Sequence, residues 1–159
     1  MKKYTIALVM TINEFEIVKY SEDDRKQILD VWEASVLATH DFLNPTDFKE
    51  IKTIVHTIDF NAFDVYCLKK DFLVAGFIGV LENKIEMLFV LPECTGKGFG
   101  KKLTNFALTR LHADKVDVNE QNIEAIRFYE KFGFRTYDRT DKDDQGKNYP
   151  LLRMKLDKQ

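Results

Sequence analysis

The chain contains 159 residues, of which 45% are hydrophobic and 31% are charged, and its formal net charge at pH 7 is −2. This length and composition predict one globular domain over residues 1–159, with residues 1–14 as a candidate N-terminal extension, and they exclude a disordered chain. The sequence has no strongly basic stretch and no apolar run of about 20 residues, so neither a nucleic acid nor a membrane is expected as a partner.

The two cysteines bear on the compartment. Cys67 and Cys94 do not have the spacing of a metal-binding motif, and two thiols in a chain of this length suit a reducing environment better than a disulfide framework. We therefore expect a cytoplasmic protein that holds no metal ion.

The first third of the chain predicts a strand followed by two helices. A strand is expected over residues 15–20, and the residues before it form either an additional strand or an extension. The acidic segment 21–24 begins a first helix, whose apolar spacing breaks over residues 38–43. Asn44 and Pro45 then supply an N-cap and a first-turn proline for a second helix.

The middle of the chain predicts an antiparallel meander of three strands. Hydrophobic runs over residues 63–68, 72–81 and 85–91 are separated by two short charged turns. The last of these runs is the fourth strand of the chain, and we expect it to be the central element of the fold.

The last third of the chain alternates helices and strands. Helices are expected over residues 98–111 and 123–131, and strands over residues 115–118, 134–139 and 151–156. The complete order is βααβββαβαββ. We therefore predict an α/β fold in which a mixed, mostly antiparallel central sheet of six to seven strands is flanked by about four helices.

A glycine-spaced loop between the fourth strand and the third helix predicts an anion site. Glycines at positions 96, 98 and 100 let the backbone turn sharply and approach a ligand closely, and the helix that follows adds unpaired N–H donors. The spacing fits neither the P-loop nor the dinucleotide-binding fingerprint. A phosphate group is the expected ligand.

Two segments resemble motifs of the GNAT N-acetyltransferases. The family's first motif reads V-x-P-x-x-R-G-x-G-x-G, and the chain departs from it at Thr95, where the family usually has Arg or Gln. The positions that match this motif are Val90, Pro92, Gly96, Gly98 and Gly100. The second motif, N-x-x-A-x-x-x-Y-x-x-x-G-F, is matched by Asn122, Ala125, Tyr129, Gly133 and Phe134. The segments ATHDFL, VNEQN and GKNYPLL further resemble a subgroup of small bacterial acetyltransferases within the family.

The resemblance implies acetyl-CoA as the cosubstrate. In the family the glycine loop holds its pyrophosphate, and the fourth strand splays from the fifth so that its backbone pairs with the pantetheine arm. Asn122 is expected to anchor the same arm, although capping the following helix is its structural alternative. The residues implied in binding acetyl-CoA are Leu88, Phe89, Val90, Thr95, Gly96, Lys97, Gly98, Phe99, Gly100, Lys101, Asn122, Ala125 and Tyr129.

Acetyl transfer to an amine requires a base that takes a proton from the amine, and it gains from an acid that protonates the departing sulfur. The resemblance implies Tyr129 as the acid, whereas the residues alone also allow a packing aromatic. Glu86 is one candidate base, because the period-two rule places it on the same strand face as Leu88 and Val90, and a solvated edge charge is its alternative. His40 is the rival base, since an ordinary pKa of about 6.5 suits proton removal, and a helix-end cap is its alternative.

The acceptor is expected to be an amine, carried either by a small molecule or by a protein lysine or N-terminus, and a homodimer is a candidate assembly. Glu120 and the acidic cluster at residues 141–144 could favour a cationic amine, with an ordinary solvated loop as their alternative. Tyr149 and Pro150 are expected to frame the pocket from the last loop.

Two other functions stay open at this point. Thr95 gives slight support to a regulatory module that binds CoA without catalysis, and a non-enzymatic interaction domain would use the glycine loop only as a turn. An acyl-enzyme mechanism through Cys94 has little support, because no base lies at a recognisable spacing from it.

Overall fold

The computed structural model describes residues 11–157, so the alternative of an additional strand before residue 11 lies outside the described residues. Within them, seven strands form one mixed sheet in the order β1-β2-β3-β4-β5-β7-β6. The strands are β1 (Glu16–Lys19), β2 (Asp64–Lys70), β3 (Leu73–Leu81), β4 (Lys84–Val90), β5 (Lys115–Asn119), β6 (Phe134–Thr140) and β7 (Leu151–Leu156). Four α-helices lie in the same range: α1 (Arg25–Thr39), α2 (Pro45–Val55), α3 (Phe99–Arg110) and α4 (Ile123–Lys131). None of the described helices is both long enough and apolar enough to cross a membrane.

The predicted element order and fold class are confirmed, and the largest difference in boundaries concerns α1. Its acidic N-terminus forms a separate 3₁₀ turn, in which the Asp24 carboxylate accepts a hydrogen bond of 3.2 Å from the Ser21 backbone N–H. The helix also runs two residues into the predicted break of residues 38–43, where the Thr39 hydroxyl donates to the Ser35 carbonyl at 2.8 Å. Leu37 and Ala38 favour the helix enough to carry it to Thr39.

The start of α2 forms as the sequence predicts. The Asn44 side-chain oxygen accepts a hydrogen bond of 2.8 Å from the backbone N–H of Asp47, and Pro45 occupies the first turn, where its missing N–H costs nothing. These local contacts fix the point at which the chain turns from the 40–43 segment into α2.

Buried apolar side chains form one cluster on each face of the sheet. Helices α3 and α4 contribute Leu103 and Tyr129 to the first cluster, while α1 contributes Ile28 and Trp32 to the second. Each fully buried side chain of this size stabilises the fold by roughly 1.5–3 kcal/mol. The sheet is therefore covered by helices on both faces, with β3 buried along nearly its whole length.

Strand β4 pairs fully with β3 but only briefly with β5. Its antiparallel register with β3 extends to Val90, opposite Gly76. Its parallel register with β5 is limited to Lys84 opposite Lys115 and Ile85 opposite Val116. The predicted separation of the fourth and fifth strands is thus present, and it leaves a gap in strand pairing beside the second half of β4, which we call the cleft.

We predict that the core depends on Phe77, which is 1% exposed at the centre of β3. Phe77→Ala should reduce the free energy of unfolding by about 3–5 kcal/mol, because it leaves a cavity between β3 and the α1 layer. Urea denaturation measures the change. Phe72→Ala is the matched control, since Phe72 is 89% exposed beside the same strand and should cost no more than about 0.5 kcal/mol. Similar losses in the two variants would contradict this account of the core.

Candidate active site

The cleft beside β4 presents backbone groups of two residues. The N–H of Leu91, the residue after β4, donates to the Ala75 carbonyl at 2.8 Å. The backbone of Leu91 therefore points toward β3. Because these bonds alternate along an antiparallel pair, Phe89 also bonds to β3, whereas Leu88 and Val90 direct their N–H and C=O groups toward the cleft. Of the three predicted strand residues, Leu88 and Val90 can therefore pair with a ligand through the backbone. Phe89 instead packs its ring against Phe77, at a centroid distance of 5.7 Å.

The glycine loop has the backbone geometry that its sequence predicts. Gly96 and Gly98 have φ angles of +76° and +87°, which disfavour any residue with a side chain. A Cβ added at either position would meet no atom within 4 Å, so the loop borders open space. Gly98 is the N-cap of α3, so the helix starts with its unpaired N–H groups at this loop. This arrangement fits an anionic phosphate group.

The other predicted loop residues differ in what their side chains can do. Phe99 is fully buried and packs edge-on against Phe15 at 5.0 Å, so only its backbone can contact a ligand. Thr95, Lys97 and Lys101 are exposed. Gly100 lies in the first turn of α3, where an added Cβ would lie 3.6 Å from the Phe128 ring. This is an ordinary van der Waals distance, so the packing of α3 beside α4 leaves room for a Cβ at this position.

The cysteine beside the loop is poorly suited to nucleophilic chemistry. Cys94 is buried, and burial, with a smaller contribution from the Glu93 charge, raises the pKa of its thiol. A raised pKa keeps the thiol protonated, and the thiolate is the reactive form. Across residues 11–157, no group of three or more His, Cys, Asp or Glu side chains is arranged to hold a metal ion.

The start of α4 carries the residues of the second motif. The Asn122 side-chain oxygen accepts a hydrogen bond of 3.2 Å from the Ala125 N–H, so Asn122 caps the helix as its structural alternative predicts. Ala125 packs partly buried against the α3 and α4 cluster. The Asn122 NH₂ group takes no part in the capping bond, so capping and ligand binding are compatible.

Tyr129 is held in an aromatic cluster on α4. It is 6% exposed, and its ring lies 5.2 Å from Phe128 and 5.6 Å from Phe134. Burial raises the pKa of the phenol above its ordinary value, so the hydroxyl stays protonated and can donate a proton. Both readings of Tyr129 from the sequence are therefore physically compatible, since it packs in the core and also retains a protonated hydroxyl.

The predicted position of Glu86 is wrong in one respect, because β4 contains a bulge. Gly79 pairs with Met87 and Val80 with Ile85, which leaves Glu86 as the extra residue. Leu88 and Val90 pack into the α3 and α4 cluster, whereas the nearest cation to Glu86 is Lys84, whose ammonium also binds Asp117. Glu86 therefore does not share the face of Leu88 and Val90, but lies on the α1 and α2 face.

Glu86 belongs to a chain of charged side chains that sequence reasoning missed. This charge chain consists of Glu86, Lys84, Asp117, Arg153 and Asp144, and its successive N–O distances are 3.6, 2.5, 2.5 and 3.1 Å. Partial burial acts to lower the pKa of Lys84, but the hydrogen bond and charge of Asp117, with a smaller contribution from Glu86, raise it. Lys84 therefore stays positively charged. The charge chain runs from β4 across β5 and β7 to the loop between β6 and β7.

His40 lies at the C-terminal end of α1, where its backbone N–H donates to the Val36 carbonyl at 2.8 Å. The Thr39 hydroxyl already donates to the Ser35 carbonyl, so it accepts from the His40 Nδ1–H, 2.7 Å away. This bond leaves Nε2 with a lone pair. Burial lowers the pKa of the imidazole, and the Asp41 charge only partly opposes this effect. His40 is thus both a helix cap and a neutral candidate base.

A wall of side chains joins the segment after α1 to the loop between β6 and β7. The Phe42 ring lies 6.1 Å from the Tyr149 ring, and the Tyr149 hydroxyl donates to the Asp47 carboxylate at 2.5 Å. The Lys147 ammonium binds Asp47 at 3.0 Å and Glu50 at 2.5 Å. We call Phe42, Asp47, Glu50, Lys147 and Tyr149 the acceptor wall, after the expectation that Tyr149 frames the acceptor pocket. The prediction that Tyr149 frames this side fits the wall, whereas Asp47 and Lys147 carried no readable signal.

The acidic residues expected near the acceptor are largely engaged in contacts within the protein. Arg139 binds Glu120 at 2.6 Å and Asp141 at 2.5 Å. Asp143 folds its own loop by accepting hydrogen bonds from the backbone N–H groups of Gln145 and Lys147. These contacts favour the interpretation that the acidic residues stabilise their own loop over the interpretation that they attract a cationic amine.

Comparison with known proteins adds to this geometry. A family model described as "Acetyltransferase (GNAT) domain" matches residues 40–158. The peptidyl-lysine N-acetyltransferase YjaB of Salmonella typhimurium is 34% identical over 132 residues, which cover 83% of this chain and 91% of that protein. The solution structure of apo YjaB from Escherichia coli has a TM-score of 0.81 at 30% identity, covering 89% of this chain and 97% of that one.

A more distant solved structure has the same fold. The PaiA N-acetyltransferase of Thermoplasma acidophilum, crystallised in complex with coenzyme A, has a TM-score of 0.62 at 21% identity. The alignment covers 89% of this chain and 99% of that chain. At this level of identity the likeness concerns the fold alone.

We predict that His40 titrates below the ordinary histidine pKa of about 6.5 in an NMR pH titration of its imidazole. Asp41→Asn should lower the pKa further, because the Asp41 charge stabilises the imidazolium. Asp30→Asn, which removes the same charge about 15 Å away along α1, is the control and should leave the His40 titration unchanged. A pKa at or above the ordinary value would contradict the burial of His40.

Proposed function

The chain belongs to the GNAT acetyltransferase family and is an acetyl-CoA-dependent N-acetyltransferase, and from this premise we propose that its acceptor is the side-chain amine of a protein lysine. The YjaB relatives from Salmonella typhimurium and Escherichia coli are both named as peptidyl-lysine N-acetyltransferases. The sequence left open whether the amine belongs to a protein or a small molecule. The relatives' names favour the protein.

The observation that carries the assignment of the site is the cleft between β4 and β5, with the glycine loop at its end. Leu88 and Val90 offer backbone groups in the pattern of an unpaired strand, which suits the amides of the pantetheine arm. Gly96 and Gly98 leave open space at the start of α3, where the pyrophosphate would lie against backbone N–H groups. The thioester of acetyl-CoA supplies the acetyl group.

We assign the role of acid to Tyr129. When the amine nitrogen bonds to the acetyl carbon, the carbon–sulfur bond breaks and the sulfur gains from receiving a proton. The Tyr129 hydroxyl can give that proton because burial keeps it protonated, and solvent restores it after product release. The aromatic contacts of Tyr129 hold its ring in one orientation.

We assign the role of base to Glu86, which takes the proton lost by the amine. It lies two residues before Leu88 on the strand that borders the cleft, and it faces the α1 and α2 side together with the charge chain. His40 is the second candidate, since its Nε2 lone pair is available and its neutral form is favoured. Comparing Glu86→Gln with His40→Gln distinguishes the two.

A second candidate function is a CoA-binding regulatory module without catalysis. The observation that favours it is Thr95, which stands where the family's first motif has Arg or Gln and so lacks a charged phosphate contact. The backbone donors of the loop do not depend on that side chain, which is why we prefer the enzyme. Cys67 and Cys94 are buried and form no disulfide, which also fits the cytoplasmic location that we propose.

We predict that Gly98→Glu abolishes the binding of acetyl-CoA in a calorimetric titration. The new carboxylate would occupy the open space at the start of α3 and repel the phosphates. Gly146→Glu is the matched control, because Gly146 also has a positive φ of +78° and open space around it, but lies in the loop between β6 and β7. Binding retained by Gly98→Glu would show that the loop does not hold the phosphates.

We predict that the protein transfers acetyl from acetyl-CoA to a lysine within a peptide, as measured by mass spectrometry and by release of CoA thiol. Tyr129→Phe should lower kcat by about tenfold or more, because it removes the proton donor and keeps the ring. Its affinity for acetyl-CoA should change little.

The outcomes of this assay separate the hypotheses. Acetylation of a polyamine but not of a lysine peptide would overturn the proposed acceptor. Binding of acetyl-CoA without transfer to any amine would favour the regulatory module. An unchanged kcat for Tyr129→Phe would remove Tyr129 from the mechanism and leave the acceptor assignment intact.

A further inference from the structure

We propose that Asp117 is a positioning residue that holds the Lys84 ammonium away from Glu86 and so keeps Glu86 available as a base. This inference rests on the proposed role of Glu86. It assigns a function to the centre of the charge chain. Lys84, Asp117 and Arg153 lie there, and none of them is among the residues of the acetyl-CoA site described above.

The distances show which partner Lys84 prefers. Its Nζ lies 2.5 Å from the Asp117 Oδ2 but 3.6 Å from the Glu86 Oε1. Lys84 and Glu86 lie two residues apart on β4 and therefore on the same side of the sheet, which makes the second contact possible. Lys84 is thus within ion-pair distance of the proposed base, yet its hydrogen bond goes to Asp117.

The competition has a chemical consequence. A lysine that closes on a carboxylate stabilises its negative charge, and a carboxylate stabilised in this way is a weaker acceptor of protons. Asp117 prevents this closure because it offers Lys84 a second carboxylate, whose side chain is only 14% exposed and therefore less screened by water than Glu86, which is 37% exposed. Lys84 does not lose its charge in this competition, since its raised pKa keeps the ammonium protonated.

Arg153 fixes Asp117 from the other side. Its Nη1 donates to the same Oδ2 at 2.5 Å, and its Nη2 reaches Asp144 at 3.1 Å and Thr140 at 3.5 Å. Asp117 on β5 and Arg153 on β7 are direct neighbours in the strand register. The carboxylate that holds Lys84 is therefore anchored by the sheet, independently of Glu86.

The test is a set of three variants, each assayed for kcat with a lysine peptide and for acetyl-CoA affinity by calorimetry. Asp117→Asn should lower kcat about tenfold, because Lys84 is released toward Glu86, and should leave acetyl-CoA affinity unchanged. The double variant Asp117→Asn/Lys84→Met should recover kcat to within about threefold of the unmodified protein, since the competing ammonium is gone. A purely structural role of Asp117 would not be relieved by the loss of Lys84.

Two comparisons keep the test decisive. If Asp117→Asn alone does not fold, Lys84→Met and the double variant are compared, and equal kcat values support the proposal because Asp117 then has no lysine to hold. The proposal is overturned if the kcat of the double variant is lower than that of Lys84→Met, or as low as that of Asp117→Asn. Lys26→Met, at an exposed ion pair with Asp30 on α1, is the control for loss of a lysine and should leave kcat unchanged.

Failure of the inference is distinguishable from failure of the proposed function. If the unmodified protein transfers acetyl to no amine, the enzyme assignment fails. If Glu86→Gln retains full kcat, Glu86 is not the base and the role of Asp117 falls with it. If Glu86→Gln is slow and the double variant is not rescued, only the role of Asp117 is wrong.

Discussion

Strands β4 and β5 begin side by side in parallel, and their backbones stop pairing after Ile85 and Val116. Backbone N–H and C=O groups are strong hydrogen-bonding groups that need a partner wherever water is excluded. The groups of Leu88 and Val90 that face the cleft can find that partner in a ligand with amides at strand-like spacing. The glycine loop and the start of α3 follow closely after the end of β4, so the unpaired part of β4 and the loop adjoin each other and together form the proposed cosubstrate site.

The sheet also separates two electrostatic environments. On the α3 and α4 face, an apolar cluster surrounds Tyr129, and burial raises the pKa of its phenol. On the α1 and α2 face, Glu86 is partly exposed at the end of the charge chain, where Lys84 lies closer to Asp117 than to Glu86. An acid that must stay protonated and a base that must stay ionised are best kept in environments that differ in this way. The proposed pair of roles therefore agrees with where the fold places each residue.

The element order, the cap at Asn44 and the sharp turn at the glycine loop depend on residues near in sequence, which is why the sequence alone predicted them. The side of the sheet that Glu86 faces does not depend on nearby residues alone. It depends on a bulge that is set by the register of β4 against Gly79 and Val80 in β3. The contact between Lys84 and Asp117 requires parallel pairing of β4 with β5, whose segments are joined through α3. No local pattern of residues contains that information.

The acceptor wall joins parts of the chain that are synthesised far apart in time. Tyr149 is 102 residues beyond Asp47, and Lys147 is 100 residues beyond it. Contacts of such long sequence separation tend to form late, because their two ends are brought together only once the intervening sheet has formed. The proposed cosubstrate cleft, by contrast, uses segments between β4 and α4. During synthesis the chain would thus acquire the proposed acetyl-CoA cleft before the acceptor wall, which forms only after Lys147 and Tyr149 have been made.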